Sequence, residues 1–351
     1  MDLYFMDKNF NAIDIVDYQN SIIWTKRYYT VGDFEIVLPA CKKTMNIAKK
    51  AVYVYRLDDE AVMIIKKVQL QTDSENGDKL IISGVDAKEI LNRRIVWQQT
   101  NINTTLEKGI TKLLNENAIM PELSARKIDN LSIGSLCSKS ATLQLVKQVT
   151  GKPLGDTLTD ICMTYGLGHK VTMNSNHNKF IYSLYSGVDR SYAQTKNSYV
   201  VFSDEYGNLL TSDYTKDESN YKNVAMVAGE GEGKARKKSI VGNGTGLDRY
   251  EIFVDKRDLS TNDGEISNTE YMRQLTEEGQ TALAEYEKTE EFESELDTYT
   301  NFIYGVDYFL GDIVQIENGY GLQERARITE IIESEDESGH VFIPTFERIA
   351  E

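Results

Sequence analysis

The chain is poor in the residues that build chemical sites. Its three cysteines, Cys41, Cys137 and Cys162, are odd in number and far apart, which fits neither a disulfide framework nor a CxxC zinc or redox motif. They are expected to be buried small hydrophobes. None of its three histidines, His169, His177 and His340, pairs with another His or a Cys at metal-ligand spacing, which argues against a zinc enzyme. His169 follows the Gly166–Gly168 helix end, where an imidazole is expected to cap carbonyls. The two tryptophans, Trp24 and Trp97, lie in strand-like contexts and are expected in the core. Only four prolines occur, at Pro39, Pro121, Pro153 and Pro344, and without a Gly/Ser-rich linker the domains should pack closely. No apolar run reaches the ~18 residues of a membrane span. The opening Met1-Asp2-Leu3-Tyr4-Phe5 lacks the basic and apolar regions of a signal peptide, so folding in a reducing, cytosol-like compartment is expected.

Positive charge is scarce as well. With 39 Lys+Arg against 55 Asp+Glu the formal charge is −16, which argues against a protein that grips nucleic acid or anionic lipid through its overall field. Eleven acids from Glu265 to Asp297 face only Arg273 and Lys288, so one stretch holds −9 of that charge. A solvated outer helix face is the plain expectation; a negative wall facing a channel or a basic partner is the alternative.

A length of 351 residues exceeds the roughly 250–300 at which one core stops growing. Residues 1–100 read as a first small antiparallel β-barrel, from β-branched and aromatic runs at Val31–Leu38, Ala51–Leu57, Ala61–Leu70 and Leu80–Ile82, with hairpin turns at Asp59 and Asn76-Gly77. Residues 101–196 read as an α/β module. There Thr104-x-x-Glu107 is a capping box ahead of an apolar helix face at Leu106, Ile110, Leu113 and Leu114. A second helix runs from Pro153 to Gly166 with Leu154, Leu158, Ile161, Cys162 and Tyr165 on one face. Strands are expected at Leu143–Val149 and Lys179–Tyr185. Residues 197–260 and 299–351 read as a second β-barrel, interrupted at 261–298 by an acidic helical insertion that spans about Asn268 to Leu296. The fold class is therefore mainly β with α+β insertions.

Motif by motif, no catalytic, cofactor or metal residue is assigned. Gly229-Glu230-Gly231-Glu232-Gly233-Lys234-Ala235-Arg236 is tempting, but a phosphate-cradling P-loop needs Gly at Ala228 and Ser/Thr at Ala235, and two glutamates would face the phosphates. A polar loop between strands is expected. No GxSxG occurs, and Cys162 on an apolar helix face would have a hidden, high-pKa thiol. Carboxylates are too plentiful to single out a glycosidase pair. The Gly242–Leu247 loop leads into Arg249–Asp258, a strand alternating apolar and charged residues. Tyrosine is abundant at 21, a residue type enriched at interfaces.

The ordered segments resemble the siphophage tail-tip hub family. They are Val31–Ala40, Ser83-Gly84-Val85-Asp86 leading to Leu91–Ile95, Tyr185–Ser191, Val201–Leu209, Asn223–Gly233, Asp255-Lys256-Arg257-Asp258 and Asp307–Val314. The resemblance implies a virion structural protein like the baseplate hub of contractile phages: two β-barrels per subunit, three subunits forming a ring with a pseudo-sixfold face toward the tail tube. It implies as partners further copies in a homotrimer, a distal tail protein or tail tube, a tape-measure protein, and a fibre, spike or lysin. No specific nucleic acid and no membrane span are implied. Ending at Glu351, the chain would lack the lytic or fibre domain of longer members, and it would sit at the virion tail tip after assembly in the bacterial cytoplasm. A tail-associated cell-wall hydrolase and a glycan-binding host-recognition module remain as alternatives. The second would use exposed Tyr and Trp platforms.

Overall fold

The structure, a computed structural model, describes residues 1–75, 77–261, 264–296, 301–317, 319–321 and 323–349, and of these the side chains of all but 209–213 and 290–296. Asn76 of the expected hairpin, Asp297 of the acidic stretch and Glu351 lie outside the described residues.

The first seven strands are β1 (Leu3–Met6), β2 (Ala12–Val16), β3 (Ser21–Arg27), β4 (Asp33–Pro39), β5 (Tyr53–Tyr55), β6 (Val62–Gln71) and β7 (Lys79–Asp86), with helix α1 (Lys42–Lys50) between β4 and β5. They run in the order β3-β4-β7-β6-β5-β1-β2 and curl around one core of Leu3, Phe5, Trp24, Phe34, Ile36, Val54 and Ile82, which α1 covers with Ile47 and Ala48. Strand periodicity puts Ile22 and Trp24 inside and Ile23 outside. The expectation of strands alone missed α1. Its buried face is only Thr44, Ile47 and Ala48, and its N-cap is a cysteine: Thr44 N–H donates to Cys41 Sγ while Cys41 N–H donates to Thr44 Oγ1.

The middle module comprises β8 (Thr100–Thr105), α2 (Leu106–Leu114), β9 (Leu131–Ile133), β10 (Gln144–Val149), α3 (Leu154–Tyr165), β11 (Gly168–Met173) and β12 (Phe180–Tyr185). α2 buries Leu106, Ile110, Leu113 and Leu114, as the spacing predicts. Its predicted capping box does not form, because Thr104 belongs to β8 and pairs with Leu145; the Leu106 N–H is instead satisfied by the Leu143 carbonyl at 2.8 Å. α3 starts after Pro153 and ends at Gly166, whose φ of 61° is the left-handed C-cap that glycine adopts at least cost. Both helices share a core with β1, β5 and β6, including Met6, Tyr53, Ile64, Leu158 and Tyr182.

The last third holds β13 (Val201–Ser203), β14 (Leu209–Asp217), β15 (Val224–Ala228), β16 (Lys238–Gly242), β17 (Glu251–Asp255), α4 (Asn268–Ala284), β18 (Thr289–Leu296), β19 (Ile313–Glu317), β20 (Gln323–Asp336) and β21 (Gly339–Arg348). Two expectations are corrected here. The helix of the acidic stretch stops at Ala284, and Thr289–Leu296 is a strand that pairs with β14 and β21; its alternating Glu290-Glu291-Phe292-Glu293-Ser294-Glu295 has the period of a strand, not a helix. The strands expected in one second barrel also divide. β16-β15-β17 form a separate sheet over α4, around Val227, Val241, Tyr271 and Leu275, while β13, β19, β20 and β21 enclose Phe202, Tyr308, Ile328 and Phe346.

No sheet closes into a barrel among the described residues. Instead β20 pairs antiparallel with β3 from Glu330↔Arg27 to Glu335↔Ile22, fusing both ends of the chain into one 13-stranded sheet. At this seam the buried Arg56 guanidinium holds Glu333 with two hydrogen bonds of 2.7 and 3.0 Å and lies over the Trp24 ring. A second junction brings Gly187 so close to Gly311 that a Cβ would sit 1.8 Å from the Gly311 carbonyl oxygen. There Asp312 accepts hydrogen bonds from Val188 N and Arg190 Nε, both at 2.7 Å.

Arg56 also donates to Asp58 at 3.0 and 2.7 Å, so removing Glu333 costs the guanidinium one of its two carboxylate partners. Glu333→Ala is therefore expected to cost about 1–3 kcal/mol by urea denaturation, and the double change Arg56→Met with Glu333→Leu to recover most of it.

Candidate interaction surface

The residues singled out in the sequence resolve mainly into structural roles. In the Gly229–Arg236 loop Glu230 and Arg236 are engaged in contacts within the fold. Glu230 accepts from Thr261 N–H at 3.0 Å and from Lys237 Nζ at 2.9 Å, and its own N–H donates to Tyr271 Oη at 2.7 Å. Arg236 donates to the Gly229 and Ala228 carbonyls and pairs with Asp255. The Thr261 and Lys237 donors hold the Glu230 carboxyl below the usual range. The loop is thus tied down by its own carboxylate.

His169 is not a helix cap. It lies on β11 in the interior, where Nε2 donates to the Tyr29 carbonyl at 2.7 Å and sits 3.3 Å from Thr159 Oγ1; its Nδ1 is buried without a partner. Burial, with the Lys88 ammonium nearby, lowers its pKa from 6.5 to about 3. Cys162 is also buried, and burial pushes its thiol up to about 12. Cys41, expected to be buried, is exposed because it caps α1, and the Thr44 hydroxyl and N–H lower its pKa. His177 stacks on Tyr55 at 4.4 Å and His340 approaches Glu333 at 2.8 Å.

The acidic stretch is not simply a solvated face. Glu278 of α4 is buried between Lys147 Nζ at 3.1 Å and Lys256 Nζ at 2.5 Å; burial raises its pKa, but the two ammonium groups hold it below the usual value. Glu277 accepts from Tyr165 Oη at 3.1 Å and is raised by burial. Glu270 takes the Asn103 amide at 2.9 Å. These acids fasten α4 to β8, β10 and α3. Glu265, Glu285 and Glu287 are exposed, and the side chains of Glu290, Glu291, Glu293 and Glu295 lie outside the described residues.

The surface carries what the interior does not use. On the β16-β15-β17 sheet one face covers α4, and the other carries a row in register: Ile240 opposite Met226, and Met226 opposite Phe253. Their exposures are 67%, 38% and 52%, and Leu247 and Tyr250 nearby are exposed too. Contiguous exposed apolar groups mark contact sites. Sequence pattern missed this row because Ile240-Val241 and Val224–Ala228 are apolar on both faces, which reads as a doubly buried strand. Trp97, expected in the core, is 55% exposed, with the Arg126 guanidinium 5.0 Å from its ring centre.

Among the described residues no helix is long and apolar enough to cross a membrane.

A family profile described as Siphovirus ReqiPepy6 Gp37-like protein matches residues 1–346. None of the curated proteins matches the chain by sequence. In fold it is similar to the tail protein from Neisseria meningitidis MC58, at 13% identity and TM-score 0.60 over 99% of this chain and 96% of that one. It is also similar to the 43 kDa tail protein of prophage MuSo2 from Shewanella oneidensis, at 11% identity and TM-score 0.58 over 99% and 98%. A third likeness is to prophage tail protein gp18 from Listeria monocytogenes EGD-e, at 13% identity and TM-score 0.53 over 99% and 94%.

The His169 ring binds a proton far more weakly in the folded chain than in the unfolded one, so its contribution is intact above about pH 6.5 and is lost as pH falls towards 3. The urea midpoint of the wild type should therefore drop more steeply between pH 6.5 and 4 than that of His169→Gln.

Proposed function

Since the chain belongs to the Siphovirus ReqiPepy6 Gp37-like protein family, we propose that it is a structural component of a phage tail, three copies of which form the hub ring at the tail tip. The observation that carries this reading is the fold, shared end to end with phage tail proteins and over nearly their whole length. In this reading one face of the ring meets the distal tail protein or tail tube, and the other meets the spike, fibre or lysin. The tape-measure protein and then DNA occupy the enclosed channel.

The physical character of the chain supports a scaffold. Its interior histidine and thiol are buried and held in uncharged forms, its glycine-rich loop is filled by Glu230, and its two ends are fused into one sheet. We assign the subunit contact to the Ile240–Met226–Phe253 row, an apolar surface that gains most from being covered. A net charge of −16 suits a channel through which DNA passes without binding, since phosphates are held by clustered Lys and Arg. The segments 1–100 and 197–351, less the α4 insertion, form the ring layer in this scheme, with 101–196 decorating it.

Size-exclusion chromatography with light scattering should give a mass three times 39.9 kDa at high concentration. Ile240→Asp and Phe253→Asp should return it to a monomer with an unchanged circular dichroism spectrum. A wild-type chain that stays monomeric at high concentration, and that binds no neighbouring tail protein, overturns the hub reading.

A further inference from the structure

Trp97 lies between a short helical turn at Ala87–Arg93 and β8. Its backbone N–H donates to Asn117 Oδ1 at 2.9 Å, and the buried Asn117 donates in turn to the Leu113 carbonyl at 3.0 Å. Asn117 belongs to Asn115–Ile119, where the end of α2 widens into a π-turn. Such turns recur at functional sites because they re-aim side chains at the expense of regular helix geometry. Here the turn anchors the backbone of Trp97 while leaving its ring outside.

The ring borders a cavity of about 350 Å³ that is also lined by Gln98, Glu116, Met120, Glu122 and Arg126. This volume falls in the roughly 300–1,000 Å³ range of small-molecule sites. Its polar groups are held in position. Gln98 Nε2 donates to Glu122 Oε2 at 2.8 Å, and Thr100 Oγ1 donates to Glu116 Oε2 at 3.0 Å. A carboxylate offers about four lone-pair sites, so both acids keep capacity to accept from a ligand's hydroxyls. Arg126, held by a 2.6 Å hydrogen bond to the Ile95 carbonyl, fixes the tryptophan ring from one side.

Charge decides the ligand class. Lys112 and Arg126 balance Glu116 and Glu122 around the cavity, so neither a polyanion nor a cation is favoured. What remains is an aromatic platform beside fixed hydrogen-bond acceptors and an amide, which complements a molecule with apolar C–H faces and hydroxyl edges. We propose that the Trp97 cavity binds a neutral oligosaccharide. This does not rest on the hub reading, because the site is complete within one chain.

Trp24 is fully buried and Trp97 is the other of the two tryptophans, so ligand-dependent emission reports on this cavity. The full chain is titrated with trisaccharides of N-acetylglucosamine, glucose and galactose, with dextran sulfate as a charged comparison. Fluorescence and calorimetry follow binding. At least one neutral trisaccharide is expected to bind saturably and shift the emission, with calorimetric affinity weakened tenfold or more in Trp97→Ala and weakened in Glu122→Gln, both variants keeping the wild-type circular dichroism spectrum. The proposal is overturned if no neutral trisaccharide binds, if only dextran sulfate does, or if Trp97→Ala binds as well as the wild type.

Discussion

The ladder between β3 and β20 is the constraint on which the rest of the structure depends. It joins residues about three hundred positions apart, at a loop-closure cost that grows only slowly with length. It also turns two curled half-sheets into a single surface. Glu333 is the focus of this seam: a buried carboxylate on β20 that receives Arg56 from the end of β5 and the His340 ring from β21. Trp24 packs beneath Arg56 as its registered neighbour on β3. Charge, stacking and backbone register thus specify the same pairing, and that agreement distinguishes it from other antiparallel pairings of similar hydrophobicity.

Two further contacts join the modules to one another. Around Tyr28 the first lobe, the middle module and β20 converge: its ring meets Tyr185 edge-on at 5.2 Å and carries the Arg327 guanidinium above it, also at 5.2 Å. Gly168, Gly187 and Gly311 let the backbones approach there without a side chain in the way. On the far side, Glu278 between Lys147 and Lys256 ties α4 and its small sheet to β10. A charge deep in the fold requires such partners, because an isolated one would be protonated or would unfold its surroundings.

Several titratable groups are therefore spent inside, while apolar and aromatic groups suited to recognition lie outside. His169, Cys162 and Glu278 stabilise packing. Ile240 and Phe253 are offered to solvent on strands, Tyr250 just before one, and Trp97 on a backbone anchored by the π-turn residue Asn117. That division fits a protein whose work is done by contact, with rigid elements presenting the contact surfaces.

Much of the fold was legible in the sequence where a single period runs long enough. The α2 and α3 faces, the left-handed cap at Gly166 and most strands follow from local spacing, since backbone geometry fixes which side chains share a face. Where the pattern was short, as in α1, or where a strand was apolar on both faces, as around Ile240, local rules gave no answer or the wrong side. The sequence by itself determined the long periodic elements, the acidic character and the resemblance to tail-tip hubs. Only the tertiary structure decided that Trp97 is outside and Cys41 caps a helix, that Glu278 is inside, and that the ends of the chain share one sheet. Those outcomes depend on what comes to lie beside each residue from far along the chain, and burial, charge pairing and exposure are properties of that neighbourhood rather than of the residue.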